Sequence, residues 1–120
     1  MEQDTIDELL KERLQTAMDM LRSDKYDEAL LELRELQKKA RFPEHSFPIA
    51  QSLNLRGIIA KKRGQYAESL DYYQNALRIF ERINNMHHCA LVLGNIGVVY
   101  KNLSDYQQSL QYYQKALEIY

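Results

Sequence analysis

Residues 50–80 read AQSLNLRGIIAKKRGQYAESLDYYQNALRIF, and residues 90–120 read ALVLGNIGVVYKNLSDYQQSLQYYQKALEIY. Offset by 40, the two stretches agree at 13 of 31 positions. The matches include Ala50/Ala90, Leu53/Leu93, Gly57/Gly97, Tyr66/Tyr106, Ser69/Ser109, Tyr73/Tyr113 and Ala76/Ala116. Ile58/Val98, Ile59/Val99 and Phe80/Tyr120 keep their character. Self-similarity at a fixed period signals stacked copies of one supersecondary unit, each burying its neighbour's apolar face.

A weaker, more charged copy lies upstream. Tyr26 and Leu30 stand 40 before Tyr66 and Leu70, while Ala17, Leu33 and Leu36 replace the glycine, the aromatic and the late alanine. An end copy must present one face to water, so added charge suits it. The copies span about 6–41, 48–84 and 88–120.

Each copy predicts two helices. In the last, Leu93, Ile96, Gly97 and Tyr100 recur at helical spacing, and Tyr106, Leu110, Tyr113 and Leu117 form a second such face. Leu103–Asp105 breaks the pattern, and Ser104 followed by Gln107 predicts a capping box. The equivalent breaks are Arg63-Gly64-Gln65 and Ser23-Asp24-Lys25, and Thr5 with Glu8 predicts a cap for the first helix. The prolines of Phe42–Pro48 would end one helix and start another. Asn84–Met86 forms the second linker.

Small residues set the expected packing. Glycine inside a helix costs roughly 0.5–1 kcal/mol against alanine, so Gly57 and Gly97 imply close approach of a paired helix. Ser69 and Ser109 would accept that approach. Ala76 and Ala116 would admit the next copy's first helix. Tyr66, Tyr73, Tyr100, Tyr106 and Tyr113 are expected on the packing face, with Tyr72 and Tyr112 turned elsewhere.

Gly57-Ile-Ile-Ala…Gly64-Gln-Tyr66…Ser69-Leu70…Tyr73…Ala76 and its counterpart Gly97-Val-Val-Tyr100…Tyr106…Ser109-Leu110…Tyr113…Ala116 resemble the tetratricopeptide repeat family. The period of 40 is similar to the family's longer-repeat branch, which includes polarity adaptor proteins that bind extended peptides and bacterial Rap-type regulators. Serine stands where the family's second helix usually has alanine. The resemblance implies an all-α fold, a right-handed α-solenoid of three stacked antiparallel helical hairpins.

Composition agrees with a helical protein and excludes several functions. A chain of 120 residues suits one domain, and four Gly and two Pro are too few for a many-turned β fold. The net charge of −1 gives no footprint for nucleic acid or an anionic membrane. No stretch reaches the roughly 20 apolar residues of a membrane span, and the acidic N-terminus is no signal peptide. Cys89 is the only cysteine, so a reducing, cytoplasmic setting is the simpler expectation.

No catalytic constellation is legible, and no cofactor is expected. His87, His88 and Cys89 are adjacent, so on a helix they point about 100° apart and make a poor metal site. Glu32 and Glu35 sit among bases, as on a solvated helix face. There is no Gly-rich phosphate loop, HExxH or nucleophile elbow. The chain is expected not to be an enzyme.

In tetratricopeptide arrays the first helix of each hairpin lines a concave groove. Carried over by position, the resemblance places Lys11, Gln15, Met18 and Arg22 there from the first copy. The second contributes Gln51, Asn54, Ile58, Lys61 and Lys62, and the third Leu91, Asn95, Val98, Lys101 and Asn102. Asn95 holds the position from which peptide-binding members often grip peptide backbone. Leu55 breaks that ladder in the second copy. The carboxylate clamp of chaperone-tail binders is not expected, because Met18 and Ile58 stand where polar groups would be needed. The expected partner is a protein or peptide, an extended or helical segment or another repeat array, anchored near Ile58 and Val98 and steered by the lysines.

The chain closes on an apolar helix. Ala116, Leu117 and Tyr120 would form a bare edge, which reads as a fragment of a longer protein or as a homodimer contact. The alternative function is an N-terminal sensor or dimerisation module of a larger signalling enzyme, such as a histidine kinase or nucleotide cyclase.

Overall fold

The computed structural model describes residues 2–119. They form α1 (Glu2–Arg22), α2 (Tyr26–Lys39), α3 (Ser46–Lys62), α4 (Tyr66–Arg82), α5 (Met86–Asn102) and α6 (Tyr106–Ile119), with no strand among them. Helices α2, α4 and α6 begin at Tyr26, Tyr66 and Tyr106, and α3 and α5 begin at Ser46 and Met86, so the period of 40 seen in the sequence is the period of the fold. Consecutive helices pair as hairpins α1–α2, α3–α4 and α5–α6, and α2 and α4 pack onto the first helix of the next hairpin. The result is an all-α repeat solenoid measuring 49 × 31 × 19 Å.

The stacking is uneven. First helices touch one another, α1 with α3 and α3 with α5, whereas α2, α4 and α6 make no mutual backbone contact among the described residues. Packing tight on one side and open on the other curves the array, with α1, α3 and α5 on the inner face. Helices α3 and α5 carry apolar or small residues around most of their circumference because neighbours cover them on several sides.

The second and third hairpins are locked where their helices are closest. A β-carbon on Gly57 would lie 2.5 Å from Cε1 of Tyr73, and one on Gly97 would lie 2.7 Å from Cε1 of Tyr113. The glycines are the seats of these rings. One turn before each tyrosine, the Ser69 hydroxyl donates to the Gly57 carbonyl and the Ser109 hydroxyl to the Gly97 carbonyl, both at 2.8 Å. A carbonyl has two lone pairs, so it can take this bond beside its helical one. That explains serine rather than alanine at these positions. Ala76 clusters with Cys89 and Val92 of the following α5 as well as with Ala50, and Ala116 clusters with Ala90 and Leu93 of its own hairpin.

Two large apolar clusters result, beside the small one of Ala90, Leu93 and Ala116. Leu10, Leu14, Leu33, Leu36, Leu55 and Ile59 centre the first, and Tyr73, Phe80, Val92, Ile96 and Val99 the second. Ile58 packs against both.

All four short turns have the same geometry. Asp24, Gly64, Asn84 and Ser104 adopt φ values of 59°, 76°, 59° and 64°. At each, the next residue's N–H reaches the carbonyl five residues back: Lys25 to Met20, Gln65 to Ala60, Asn85 to Phe80 and Asp105 to Tyr100, at 2.8–2.9 Å. These are Schellman closures, which satisfy orphan carbonyls at helix ends. Both expected capping boxes are corrected. Ser104 closes α5, and Asp105 instead accepts the Gln108 N–H at 3.2 Å. Thr5 lies inside α1, which begins at Glu2.

Three expectations follow. Gly57→Ala should destabilise by about 1–2 kcal/mol net, because overpacking outweighs the gain in helix propensity. Gly97→Ala should cost less, because Tyr113 is only half-buried and can yield. Ser104→Gly should stabilise by up to about 1 kcal/mol by relieving left-handed strain. Urea midpoints at unchanged m-value check all three.

Candidate functional site: the face of the first helices

Helices α1, α3 and α5 carry stripes at i, i+3 and i+4, so each presents one line of side chains along the inner face. Lys11, Gln15 and Arg22 are exposed on α1. Asp19 ties two of them down: Gln15 donates to it at 3.0 Å and Arg22 pairs with it at 3.2 Å. Lys11 lines a cleft of about 330 Å³ with Glu44, His45 and Phe47. His45 is buried there; its Nδ1 accepts the Arg41 N–H at 2.7 Å and its Nε2 lies 3.2 Å from Asp7, fastening α1 to the α2–α3 loop.

At the expected apolar centre of the groove, Met18 and Ile58 are both half-buried. Met18 packs on the first cluster, and Ile58 wedges between both. Ile58 therefore joins the two repeats as well as standing at a groove position. Further apolar surface on this face lies on α5, where Leu91 is exposed and Val98 half-buried.

Polar groups also occupy the middle. Asn54 is buried, and its Oδ1 accepts from Asn95 Nδ2 at 3.1 Å, tying α3 to α5. A primary amide has two N–H donors and an acceptor oxygen, so this bond uses only part of either side chain's capacity. Three residues before Asn54, Gln51 Oε1 is buried without a hydrogen-bond partner. Leaving an acceptor so costs about 1–3 kcal/mol. Leu55 is buried in the first cluster, so the asparagine ladder is indeed interrupted there. The Asn54–Asn95 pairing was not legible in the sequence, because one repeat puts its asparagine one position earlier than the other.

The basic end of the face is built from helix termini. Lys61 and Lys62 close α3, and Lys101 with Asn102 closes α5. Cations there complement the helix dipole. Partial burial, with Lys62 adding to it, lowers the Lys61 pKa. Lys62, Lys101 and Asn102 are exposed.

In the His87-His88-Cys89 run the two imidazoles meet edge-on with centroids 5.4 Å apart, closer than their helical spacing suggests. The His88 ring stacks on Phe80 with centroids 5.0 Å apart and meets Phe47 edge-on at 4.9 Å, while Cys89 turns into the second cluster. Burial, then Glu81, raises the Cys89 thiol pKa, which leaves less thiolate at neutral pH.

The face thus combines amides, lysines and scattered apolar groups. The family model for the tetratricopeptide repeat matches residues 48–120, which takes in α3 to α6. The chain belongs to the tetratricopeptide repeat family. Such repeats generally mediate protein–protein interaction and serve as non-enzymatic scaffolds. No curated protein sequence matches the chain closely enough to add a relative. Among the described residues no helix is long and apolar enough to cross a membrane.

One pH dependence follows from the packing of His88. Desolvation, then the neighbouring His87, holds its pKa below the ordinary 6.5. Above 6.5 the ring is neutral in both the folded and unfolded states. As pH falls through that value the unfolded chain binds the proton first, so stability is lost on acidification. Melting temperatures should drop between about pH 7 and 5, and drop less for His88→Phe.

Proposed function

We propose that the inner face of α1, α3 and α5 binds an extended protein segment. The observation that carries this is the buried, unpartnered Gln51 Oε1 beside the Asn54–Asn95 amide pair. A helix satisfies its own backbone groups, so it has little use for such amides in its central turns. An extended segment has N–H and C=O groups to spare, and its N–H groups would relieve the stranded acceptor. Leu91 and Val98 would receive an apolar side chain. Lys61, Lys62 and Lys101 would orient acidic residues and speed encounter rather than supply most of the affinity.

Peptides selected from a random library, with affinities read by fluorescence anisotropy, test this. Asn95→Ala should weaken binding by about five- to tenfold, the worth of roughly one net hydrogen bond. Changing Lys61, Lys62 and Lys101 to Ala should flatten the salt dependence with little effect at high salt. Peptides that bind an Asn95→Ala, Val98→Asp double variant as well as the parent chain would place the site elsewhere.

A second contact is favoured by the surface of α6. Tyr106 is 66% exposed, Leu110 58% and Leu117 69%, although their counterparts Tyr66, Leu70 and Leu77 on α4 are half-buried. Among the described residues α4 lies between α3 and α5, whereas α6 packs on α5. Tyr106 thus lies outside the packing face expected of it. Ala116 faces α5 and drops out of the edge, and Tyr120 lies outside the described residues. We infer that Tyr106, Leu110 and Leu117 pair two copies. The exposed surface of α1 carries Glu8, Lys11, Glu12, Asp19 and Arg22, which makes it a poor head-to-tail acceptor. An isologous α6–α6 contact fits better. The same edge would suit a dimerisation module joined to a signalling enzyme. Sedimentation equilibrium should show a concentration-dependent dimer that Leu110→Glu with Leu117→Glu abolishes; a monomer throughout would refute the pairing.

A further inference from the structure

The two well-matched repeats diverge sharply at one buried place. In the third repeat, Ile96 and Val99 are fully buried, and Tyr100 stacks on Tyr112 with ring centroids 5.5 Å apart. Together they fill the end of the gap between α4 and α6 that lies over Tyr100, while its other end keeps a cleft of about 320 Å³ lined by Leu77, Leu93 and Ile119. Forty residues earlier the corresponding positions are Arg56, Ile59, Ala60 and Tyr72. Ala60 cannot fill what Tyr100 fills. A cleft of about 200 Å³ therefore opens between α2 and α4, floored by α3.

Its lining is basic. Arg34, Arg56 and Arg63 all border it, where the later repeat has Gln74, Ile96 and Leu103. Arg63 is already engaged, paired with Asp27 at 2.5 Å and 5.7 Å from the centroid of the Tyr26 ring. Arg56 is different. It stands where its counterpart is core isoleucine, and its Nε is buried with no hydrogen-bond partner. Neither Arg34 nor Arg56 belongs to an ion pair among the described residues. Glu68 also borders the cleft, so with Asp27 two carboxylates face three guanidiniums and an excess of one positive charge remains. A guanidinium half withdrawn from water and left unpaired is costly, and its planar fork suits the two oxygens of a carboxylate or phosphoryl group.

We propose that this cleft binds an organic anion of side-chain size. Arg56 and Arg34 hold its oxyanion, and Leu30, Ala60 and Tyr72 receive its apolar body. At about 100° per residue, Arg56, Ala60 and Arg63 point to the opposite side of α3 from Gln51, Asn54 and Ile58. The site is therefore separate from the inner face and stands or falls without it.

The probes are phenyl phosphate, 3-phenylpropionate and inorganic phosphate, added to the full chain at constant ionic strength. The readout is the set of arginine Nε–Hε NMR signals. Saturable movement of the Arg56 and Arg34 signals by a ring-bearing anion, at a concentration at least threefold below inorganic phosphate, is the expected result. Whichever ring-bearing anion saturates first identifies phosphoryl or carboxylate as the preferred group. Arg56→Ile and Arg34→Gln install the residues that the next repeat carries, so the fold should survive. Each should weaken binding by tenfold or more. Ala60→Tyr should remove the advantage of the ring, and Glu68→Gln should tighten binding severalfold. Signals that never saturate, saturation by inorganic phosphate without gain from the ring, or binding that persists in Arg56→Ile would overturn the proposal.

Discussion

The fold depends on how closely paired helices approach at Gly57 and Gly97. An aromatic ring lies against bare backbone there, and a serine hydroxyl clasps the carbonyl of the same glycine. These contacts fix distance and rotation together. The ring admits no β-carbon beneath it, and the hydroxyl reaches its acceptor only in one register. Once these two hairpins are set in this way, their remaining apolar residues have little choice of neighbour. The order of elements then follows from stacking, since a hairpin of this kind has more apolar surface than it can bury alone.

Curvature is the step that turns this packing into a functional surface. Because α1, α3 and α5 touch while α2, α4 and α6 stand apart, two kinds of surface arise from one repeat. The inner face is continuous, so side chains from successive hairpins meet, as Asn54 and Asn95 do. The outer side is a series of clefts between second helices, each floored by a first helix of the following hairpin. Residues on one helix can therefore serve two surfaces at once, and α3 is the clearest case.

Much of this was legible in the sequence, because the repeat repeats its own constraints. The period, the six helices and the tight seats at Gly57 and Gly97 all follow from residues that recur at 40. What could not be read are features set by neighbours rather than by the helix itself. Ser104 resembles a helix-starting cap, yet the Schellman turn needs a left-handed residue at that point and takes it. Met18 and Ile58 sit at groove positions, and because a solenoid joint must be filled, both also pack against the core. Tyr106 repeats Tyr66 in type and register, yet it is exposed because among the described residues α6 has one helical neighbour where α4 has two. Ala116 repeats Ala76, and only the contacts show that it clusters with Ala90 and Leu93 of its own hairpin.

In a repeat protein the informative positions are those that break a pattern the core would otherwise enforce. Identity between repeats marks what the fold requires. Divergence at exposed positions costs little and says little. Divergence at a buried position carries a penalty that the fold does not explain: Arg56 for Ile96 gives up apolar burial, and Ala60 for Tyr100 gives up a stacked ring pair. Gln51 against Leu91 is a milder case, since Leu91 is exposed while Gln51 holds a buried acceptor without a donor. These departures fall on two opposite sides of α3. Stability alone would have favoured the residues of the later repeat at both. The first helix of the central hairpin, covered on more sides than any second helix, is thus where the chain sacrifices packing, and a helix so thoroughly held can absorb that loss without losing its place.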